Sequence, residues 1–168
     1  PLVLFDRLYR EIAADTVVID NMRATYWLTK QLLAEGAKKV ALLTTNPHLT
    51  IMELRKNGYQ LALSEAGLDT DDECCIEVEI EDYEQRTSDA LRKLLERDSD
   101  VDGFVFTTHI LAIEAIRYFH QEGVPLSGFR LGCVHSVPTL QLLAPNMHVA
   151  YMPVEEMGRA IVKAIVES

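Results

Sequence analysis

The hydrophobic pattern of the chain alternates between short apolar runs and longer amphipathic segments. Short, mainly apolar runs are typical of strands that are buried on both faces, and they lie at 2–5, 16–19, 40–43, 103–106 and 130–134. The run at 16–19 is rich in β-branched residues, which favour strands. The segment 75–80 alternates apolar residues with Glu, which predicts a strand at the edge of a sheet. A further short strand is predicted at 150–152.

The longer segments repeat apolar residues at helical spacing, which predicts helices at 21–35, 50–66, 84–97, 109–122 and 154–166. Gly58 lies inside the second of these helices, at a cost of about 1 kcal/mol relative to Ala. We therefore expect that this helix packs closely on a sheet. Strands that alternate with helices predict an α/β fold, with a doubly wound, open parallel sheet and helices on both faces.

The segment 135–147 breaks this rhythm, because it contains Pro138 and Pro145, and it is predicted to be a long functional loop. The helix 109–122 is apolar on two sides, so one side needs a further partner. Together these features predict a homodimer interface that includes Ile110, Ile113, Leu140, Leu142 and Leu143. The alternative is that the second apolar side packs beneath the loop of the same chain.

Composition restricts the classes of partner. The 168 residues carry 16 Lys and Arg against 26 Asp and Glu, a net charge of −10, and such a surface repels nucleic acid. No apolar run reaches the roughly 18 residues of a membrane-spanning helix, so we expect no membrane partner. Cys74, Cys75 and Cys133 form no disulfide framework and indicate reduced, partly buried thiols in a cytoplasmic protein. The first residue is Pro1 rather than Met, so we expect a fragment or a processed chain.

Polar side chains follow most of the predicted strands. Ligands of open α/β sheets bind beyond the carboxyl ends of the strands. The polar side chains therefore predict a small-molecule pocket, and they lie at 6–7, 44–46, 81–83, 107–109 and 135–136. The alternative is that these turns are polar only because loops face solvent.

The candidate chemical groups at these turns are few. His109 and His135 could act as acid and base, but zinc needs three or four protein ligands and no third His or Cys accompanies them. The turn after 40–43 has no glycine to cradle a phosphate. We therefore expect the histidines to be caps or hydrogen-bond partners, with no catalytic residue, metal or cofactor. Arg55 is either an anchor for a ligand hydroxyl or carboxylate or a surface residue paired with an acid such as Glu53.

Seven segments, in their order and spacing, resemble the effector-binding region of the LacI/GalR transcription regulators. They are PLVLFDR at 1–7, VVIDN at 17–21, LLAEGAKKVALL at 32–43, RKNGYQLAL at 55–63, VDGFVFTTHILAIEAIRYFHQEGVPL at 101–126, FRLGCVHS at 129–136 and MPVEEMGRAIVKAI at 152–165. The fold of that region is similar to that of the periplasmic sugar-binding proteins.

The resemblance implies a division of the chain. Residues 1–19 would be a remnant of an N-terminal subdomain, residues 20–150 the C-terminal effector-binding subdomain, and residues 151–168 a crossover strand and helix of the N-terminal subdomain. The family carries a DNA-binding helix-turn-helix upstream, which is absent from this chain, so operator DNA would be bound only through that domain. Hinge closure on a small-molecule effector would then modulate DNA binding without catalysis.

Two ligand positions of the family, Asp6 and Arg55, match residues of this chain. With the residues at the strand ends they give the predicted ligand-binding set, which is Asp6, Thr44, Arg55, Asp82, Tyr83, Thr108, His109, Val134 and His135.

The chain departs from the family at two pairs of positions. It has Thr108 and His109 where the family often has Asn-Asp, and Val134 and His135 where the family often has Asp-Asp or Asp-Asn. The loss of both acids favours a modified sugar, an acidic sugar or an unrelated metabolite over a neutral hexose. The alternative functions are a periplasmic-type sugar- or nucleoside-binding protein and a small α/β enzyme that uses the two histidines.

Overall fold

The computed structural model describes residues 2–9, 11–70 and 72–167. The strands are β1 (Val3–Phe5), β2 (Asp15–Val17), β3 (Val40–Thr45), β4 (Cys75–Val78), β5 (Gly103–Phe106), β6 (Arg130–Val134) and β7 (His148–Ala150). The helices are α1 (Asn21–Ala34), α2 (Thr50–Glu65), α3 (Tyr83–Arg97), α4 (His109–Gln121), α5 (Pro138–Leu143) and α6 (Val154–Glu167). Among these helices, none is long and apolar enough to cross a membrane.

Five strands form the main sheet, in the order β4-β3-β5-β6-β7, and all pairs are parallel. The predicted doubly wound parallel sheet is confirmed, and β4 is an edge strand as its alternating pattern predicts. The register aligns Leu43 with Phe106, and Phe106 with Cys133, so that the carboxyl ends of three neighbouring strands lie level. The strands β1 and β2 form a separate parallel pair, and α6 packs against that pair.

Helices cover both faces of the main sheet, because alternate residues of each strand point to opposite faces. On one face, α1 and α2 pack on the sheet through buried side chains that include Leu28, Leu32, Tyr59 and Leu63. On the other face, α3, α4 and α5 pack on the sheet through a larger cluster that includes Leu91, Leu94, Leu111, Phe119 and Leu140. The tips of the strands are therefore held between two rigid layers.

Gly58 packs against a helix and not against a sheet, which corrects the expectation from the sequence. A Cβ added at Gly58 would lie 2.0 Å from the Met22 carbonyl oxygen and 2.5 Å from Thr25 Oγ1, both on α1. The missing side chain therefore lets α2 approach α1 closely enough for the Thr25 hydroxyl to donate a hydrogen bond of 2.6 Å to the Arg55 carbonyl.

The segment 135–147 is not a continuous loop, because it contains the short helix α5 with Pro138 in its first turn. This helix turns Leu140 into the core, where it is 1% exposed, so Leu140 is not available for an interface between folded chains. Leu142 and Leu143 remain exposed. Ile113 is partly buried against the core of its own chain, which is the alternative arrangement that the sequence left open.

The start of α1 offers a test of local stability at the predicted crossover between subdomains. Asp20 Oδ1 accepts a hydrogen bond of 2.9 Å from the Arg23 backbone N–H, which caps the helix. Asp20→Ala removes this acceptor, and we expect the free energy of unfolding to fall by about 1 kcal/mol in urea denaturation. Asp20→Asn keeps a capping oxygen and is expected to stay within a few tenths of a kcal/mol of the parent; equal losses in both variants would contradict the capping role.

Candidate functional site

A cleft of about 220 Å³ lies at the carboxyl ends of β3, β5 and β6, and the turn after β1 closes one side of it. Its lining combines polar side chains with apolar ones from the first turns of the following helices. The lining residues are Asp6, Arg7, Thr45, Asn46, Ile51, Met52, Arg55, Ile80, Tyr83, Thr108, His109, Ile110, Leu111, Val134, His135 and Met152. This mixture is typical of a site for a small polar molecule.

Most of the predicted ligand-binding residues line this one cleft. The seven that do so are Asp6, Arg55, Tyr83, Thr108, His109, Val134 and His135. Ile110, which the sequence assigned to a dimer interface, also lines the cleft and is only partly exposed there. The chemistry at the strand ends therefore converges, as a parallel sheet requires.

Two predicted residues, Thr44 and Asp82, do not line the cleft. β3 extends to Thr45, so Thr44 and Thr45 point to opposite sides of the sheet. Thr44 is buried and accepts a hydrogen bond of 3.2 Å from Thr107 Oγ1, while Thr45 takes the place on the cleft. Asp82 adopts a left-handed backbone at the start of α3 and lines a separate groove beside that helix.

That separate groove runs between β4 and α3 and has a volume of about 1080 Å³. Exposed charged side chains dominate its lining, and they pair with one another, as Arg86 does with Glu79 at 2.8 Å. Pairs of this kind are satisfied by each other and by water, and they contribute little energy. The groove therefore does not show the buried, converging polar atoms that mark the cleft.

Arg55 lines the cleft, is only 4% exposed, and links α1 to the turn after β5 through its hydrogen bonds. Its Nε donates a hydrogen bond of 2.8 Å to Asn21 Oδ1 on α1, and its Nη1 donates to the Thr107 carbonyl after β5. Burial lowers the pKa of the Arg55 guanidinium to about 10, and the nearby Asp6 carboxylate opposes that shift. The sequence suggested either a ligand anchor or a surface residue paired with an acid, and neither interpretation included this structural link between α1 and the turn after β5.

The two histidines of the cleft form a pair. The ring centroids of His109 and His135 are 5.3 Å apart, with the ring planes at 76°. Burial lowers the pKa of His109, and the neighbouring His135 lowers it further. In the described part of the chain no three His, Cys, Asp or Glu side chains are grouped as a metal site would need.

Three lining residues other than glycine adopt left-handed backbone conformations directly after strands. The φ angles are 51° at Asp6, 46° at Asn46 and 67° at His135. Asp, Asn and His are the residues that enter this region most readily. Hydrogen bonds hold two of these turns in place, from Asp6 N–H to the Val17 carbonyl at 3.1 Å and from His135 N–H to the Ala150 carbonyl at 2.9 Å.

Thr45 carries an unsatisfied polar atom. The side chain is 2% exposed, lines the cleft, and has a hydroxyl that makes no hydrogen bond within the described structure. A buried hydroxyl without a partner costs roughly 1–3 kcal/mol. This residue was among the polar strand ends in the sequence but was not selected for the ligand-binding set, because the end of β3 was predicted two residues too early.

The sequence reasoning also missed the apolar wall of the cleft, which includes Ile51, Met52, Ile80 and Met152. Ile51 and Met52 lie in the first turn of α2, directly after the polar turn that follows β3. That position was a usable signal, because the first turn of a helix after a parallel strand lies beside the strand end.

The fold and this cleft define a class of proteins. A family model described as the periplasmic binding protein-like domain matches residues 29–168, and the chain belongs to that family. Within it, the predicted resemblance to the effector-binding region of LacI/GalR transcription regulators is confirmed.

The individual relatives are transcription regulators. The ribose operon repressor of Haemophilus influenzae is 23% identical over 168 residues, which are 99% of this chain and 50% of the relative. The regulator DegA of Bacillus subtilis is 28% identical over 160 residues, 94% of this chain and 46% of the relative. The chain thus spans about half the length of these curated relatives. The solved structure of a complex of the regulator CelR with cellobiose has a similar fold, with a TM-score of 0.84 at 22% identity over 99% of this chain and 51% of that one.

Proposed function

We propose that this chain is the part of a LacI/GalR-type transcription regulator that senses a small molecule in the cytoplasm, without catalysis. The effector binds in the cleft at the strand ends, and its binding changes the affinity for operator DNA of a helix-turn-helix outside this chain. The functions of the relatives support this proposal, and their regulator names give no support to the periplasmic binding protein that the sequence left as an alternative.

The single observation that carries the proposal is the convergence of polar side chains from the ends of β1, β3, β5 and β6 on one cleft. Thr45 lines that cleft with a buried hydroxyl that has no partner in the described structure, and a ligand that reaches it would supply one. The other polar groups of the lining, on Thr108 and Tyr83, can bind hydroxyl groups in the same way. A sugar-like effector fits this lining, and the cellobiose complex of CelR supports that class.

We further propose that the regulator acts as a homodimer. Leu142 is 84% exposed and Leu143 is 47% exposed, on a helix next to α4. Large exposed apolar side chains of this kind mark interaction surfaces when they are grouped. Leu142, Leu143 and the exposed part of Ile113 are the residues that we assign to this surface; Ile110 and Leu140 are no longer included.

The substitution Thr45→Val tests the role of the cleft. Since valine has the same shape without the hydroxyl, we expect the unliganded protein to gain about 1 kcal/mol in urea denaturation. We also expect the affinity for the effector, found by calorimetric titration of neutral and acidic mono- and disaccharides, to fall about tenfold through loss of one hydrogen bond.

Thr87→Val is the matched control. Thr87 on α3 is likewise fully buried and makes no hydrogen bond through its hydroxyl within the described structure, but it lies outside the cleft. We expect a similar gain in stability and unchanged affinity. Equal affinity in the parent and Thr45→Val proteins, for every sugar that binds, would refute the assignment of the cleft.

A further inference from the structure

The charge of the cleft is opposite to the charge of the chain. The chain as a whole carries a net charge of −10. The cleft nevertheless gathers two arginines and two histidines, Arg7, Arg55, His109 and His135, against the one carboxylate of Asp6. A basic lining inside an acidic protein attracts an anion and concentrates it at the site.

We propose that the effector is an anionic polyol, a sugar that carries a carboxylate or a phosphate, and that its anionic group binds beside the His109 and His135 pair, where both residues line the cleft. This inference rests on the proposed function, since it names the class of molecule that the cleft takes. The hydroxyl groups of the same molecule would bind Thr45 and Asp6, which line the same cleft. The common chemistry of the two candidate groups is a compact, multiply accepting anion.

The backbone around the histidine pair suits an anion. His109 is the first residue of α4, a helix of 13 residues, and the N-terminus of such a helix carries unpaired N–H groups and a partial positive charge. The Thr108 hydroxyl accepts a hydrogen bond of 3.5 Å from the Leu111 N–H. The N–H groups of His109 and Ile110, in the first turn of α4, have no partner within the helix, and both residues line the cleft. The His135 ring lies 5.3 Å from that of His109, and the His135 backbone N–H donates a hydrogen bond to the Ala150 carbonyl.

A second observation, independent of the helix end, also points to a ligand. The Thr45 hydroxyl is 2% exposed, has no partner in the described structure, and lines the same cleft from β3. A helix N-terminus alone attracts any anion weakly. The buried hydroxyl adds a group to the same lining that can donate or accept a hydrogen bond, so that the complete arrangement favours a molecule with both an anionic end and hydroxyl groups.

Binding of such an anion is coupled to protonation of His109. In the unliganded protein, burial and the proximity of His135 hold the pKa of His109 below its ordinary value, so its charged form is disfavoured. An anion beside His109 stabilises its protonated form, and a proton is taken up on binding. The other charged or titratable side chains that line this cleft are Asp6 and Arg7 after β1, Arg55 on α2 and Tyr83 on α3.

Calorimetric titration with matched neutral and acidic sugars tests the proposal. The pairs are glucose with glucuronate, galactose with galacturonate, and ribose with ribose 5-phosphate, each at pH 6 and pH 8. In at least one pair we expect the acidic member to bind at least about tenfold more tightly than the neutral member at pH 6. We expect this preference to shrink about tenfold at pH 8, where His109 is neutral. The uronates remain ionised at both pH values, so any change in their affinity reflects the protonation of the protein. The pair of ribose and ribose 5-phosphate shows whether the cleft prefers a phosphate to a carboxylate.

Variants of the histidines connect the effect to the site. His135→Asn keeps a residue that tolerates the left-handed backbone, and His109→Asn keeps a small polar residue at the start of α4. Each is expected to reduce the preference for the acid at pH 6 about tenfold, and His109→Asn is also expected to flatten its pH dependence. His120→Asn, on the exposed last turn of α4, should leave both unchanged.

Failure of this inference is distinguishable from failure of the proposed function. Tight binding of neutral sugars that depends on Thr45, with no advantage for any acid, overturns the anionic effector and leaves the sensing role in place. If no acidic sugar binds at millimolar concentration, the anionic effector is likewise rejected. If no sugar of either kind binds, the sensing of sugars in this cleft is rejected as well.

Discussion

Phe104→Ala is expected to lower the free energy of unfolding by about 4 kcal/mol, the largest loss of any single substitution that we predict. Phe104 is fully buried at the centre of the sheet. Its ring lies 5.2 Å from that of Phe129, 5.6 Å from that of Phe119 and 6.1 Å from that of Phe106. Alanine would leave a cavity among these rings that the rigid layers on both sides cannot close. Urea denaturation, followed by circular dichroism, measures the loss.

Phe104→Leu is the control for that experiment. Leucine fills most of the space and keeps the contacts apolar, so we expect a loss of about 1–1.5 kcal/mol. Both variants lack the aromatic ring, but only Phe104→Ala leaves a large cavity. The difference between their losses of stability therefore measures the effect of the cavity. A loss below about 2 kcal/mol in Phe104→Ala would mean that the neighbouring aromatic side chains collapse into the space, contrary to our expectation.

Gly58→Ala is expected to cost about 3 kcal/mol, at the upper end of the range for overpacked sites. The new Cβ would lie 2.0 Å from a backbone oxygen of α1, and a backbone atom cannot rotate away as a side chain can. The helices α1 and α2 must therefore separate. That movement would also break the 2.6 Å hydrogen bond from the Thr25 hydroxyl to the Arg55 carbonyl, and it would displace the Arg55 side chain from Asn21. We expect a weaker binding of the effector in the same variant.

Gly158→Ala is the matched control, and we expect it to stabilise the protein. Gly158 lies inside α6, and a Cβ added there has no heavy atom within 4 Å. With open space and an ordinary helical backbone, alanine should raise the free energy of unfolding by roughly 0.5–1 kcal/mol. The two glycines thus share a helical setting and differ only in their neighbours. Destabilisation by Gly158→Ala, or a neutral Gly58→Ala, would show that close helix packing is not what selects glycine at position 58.

The elements that the sequence predicts best are those in which pattern and environment agree. β5 and β6 have the predicted bounds, 103–106 and 130–134, because their residues 103–106 and 131–134 are apolar and buried on both faces of the sheet. Strand β3 is longer than predicted, since Thr44 and Thr45 are polar yet continue the ladder. A threonine has high strand propensity, but a polar pair at the end of an apolar run looks like a turn.

Most of the candidate site was predictable for a topological reason. In a parallel sheet the strand ends lie at one edge, so naming the residues after each strand amounts to naming the lining of the cleft. The side-chain roles were not predictable in the same way. Arg55 was read as a ligand anchor or a surface ion pair, and its bonds to Asn21 and to the Thr107 carbonyl depend on contacts 34 and 52 residues apart. Local spacing contains no information about such contacts.

The burial of Leu140 was likewise not predictable from the local sequence pattern. Its segment contains two prolines and follows no helical period long enough to recognise, so it was predicted to be a loop with exposed leucines. A helix of six residues is too short to give a periodic signal, but it suffices to turn Leu140 inward and Leu142 outward. Which leucine is buried follows from the phase of that short helix, and only the fold fixes that phase.

The left-handed turns at Asp6, Asn46 and His135 restrict how a new specificity can be engineered or can evolve in this binding site. Substitution by a β-branched residue such as valine or isoleucine at any of the three adds backbone strain of order 1–3 kcal/mol before any ligand is bound. Thr45 and Thr108 have extended backbones and carry no such strain, although Thr45 is buried and Thr108 caps α4. A library for an altered biosensor should therefore be confined to Asn, Asp, His and Gly at the three turns, and to side chains of similar size at Thr45 and to capping residues at Thr108.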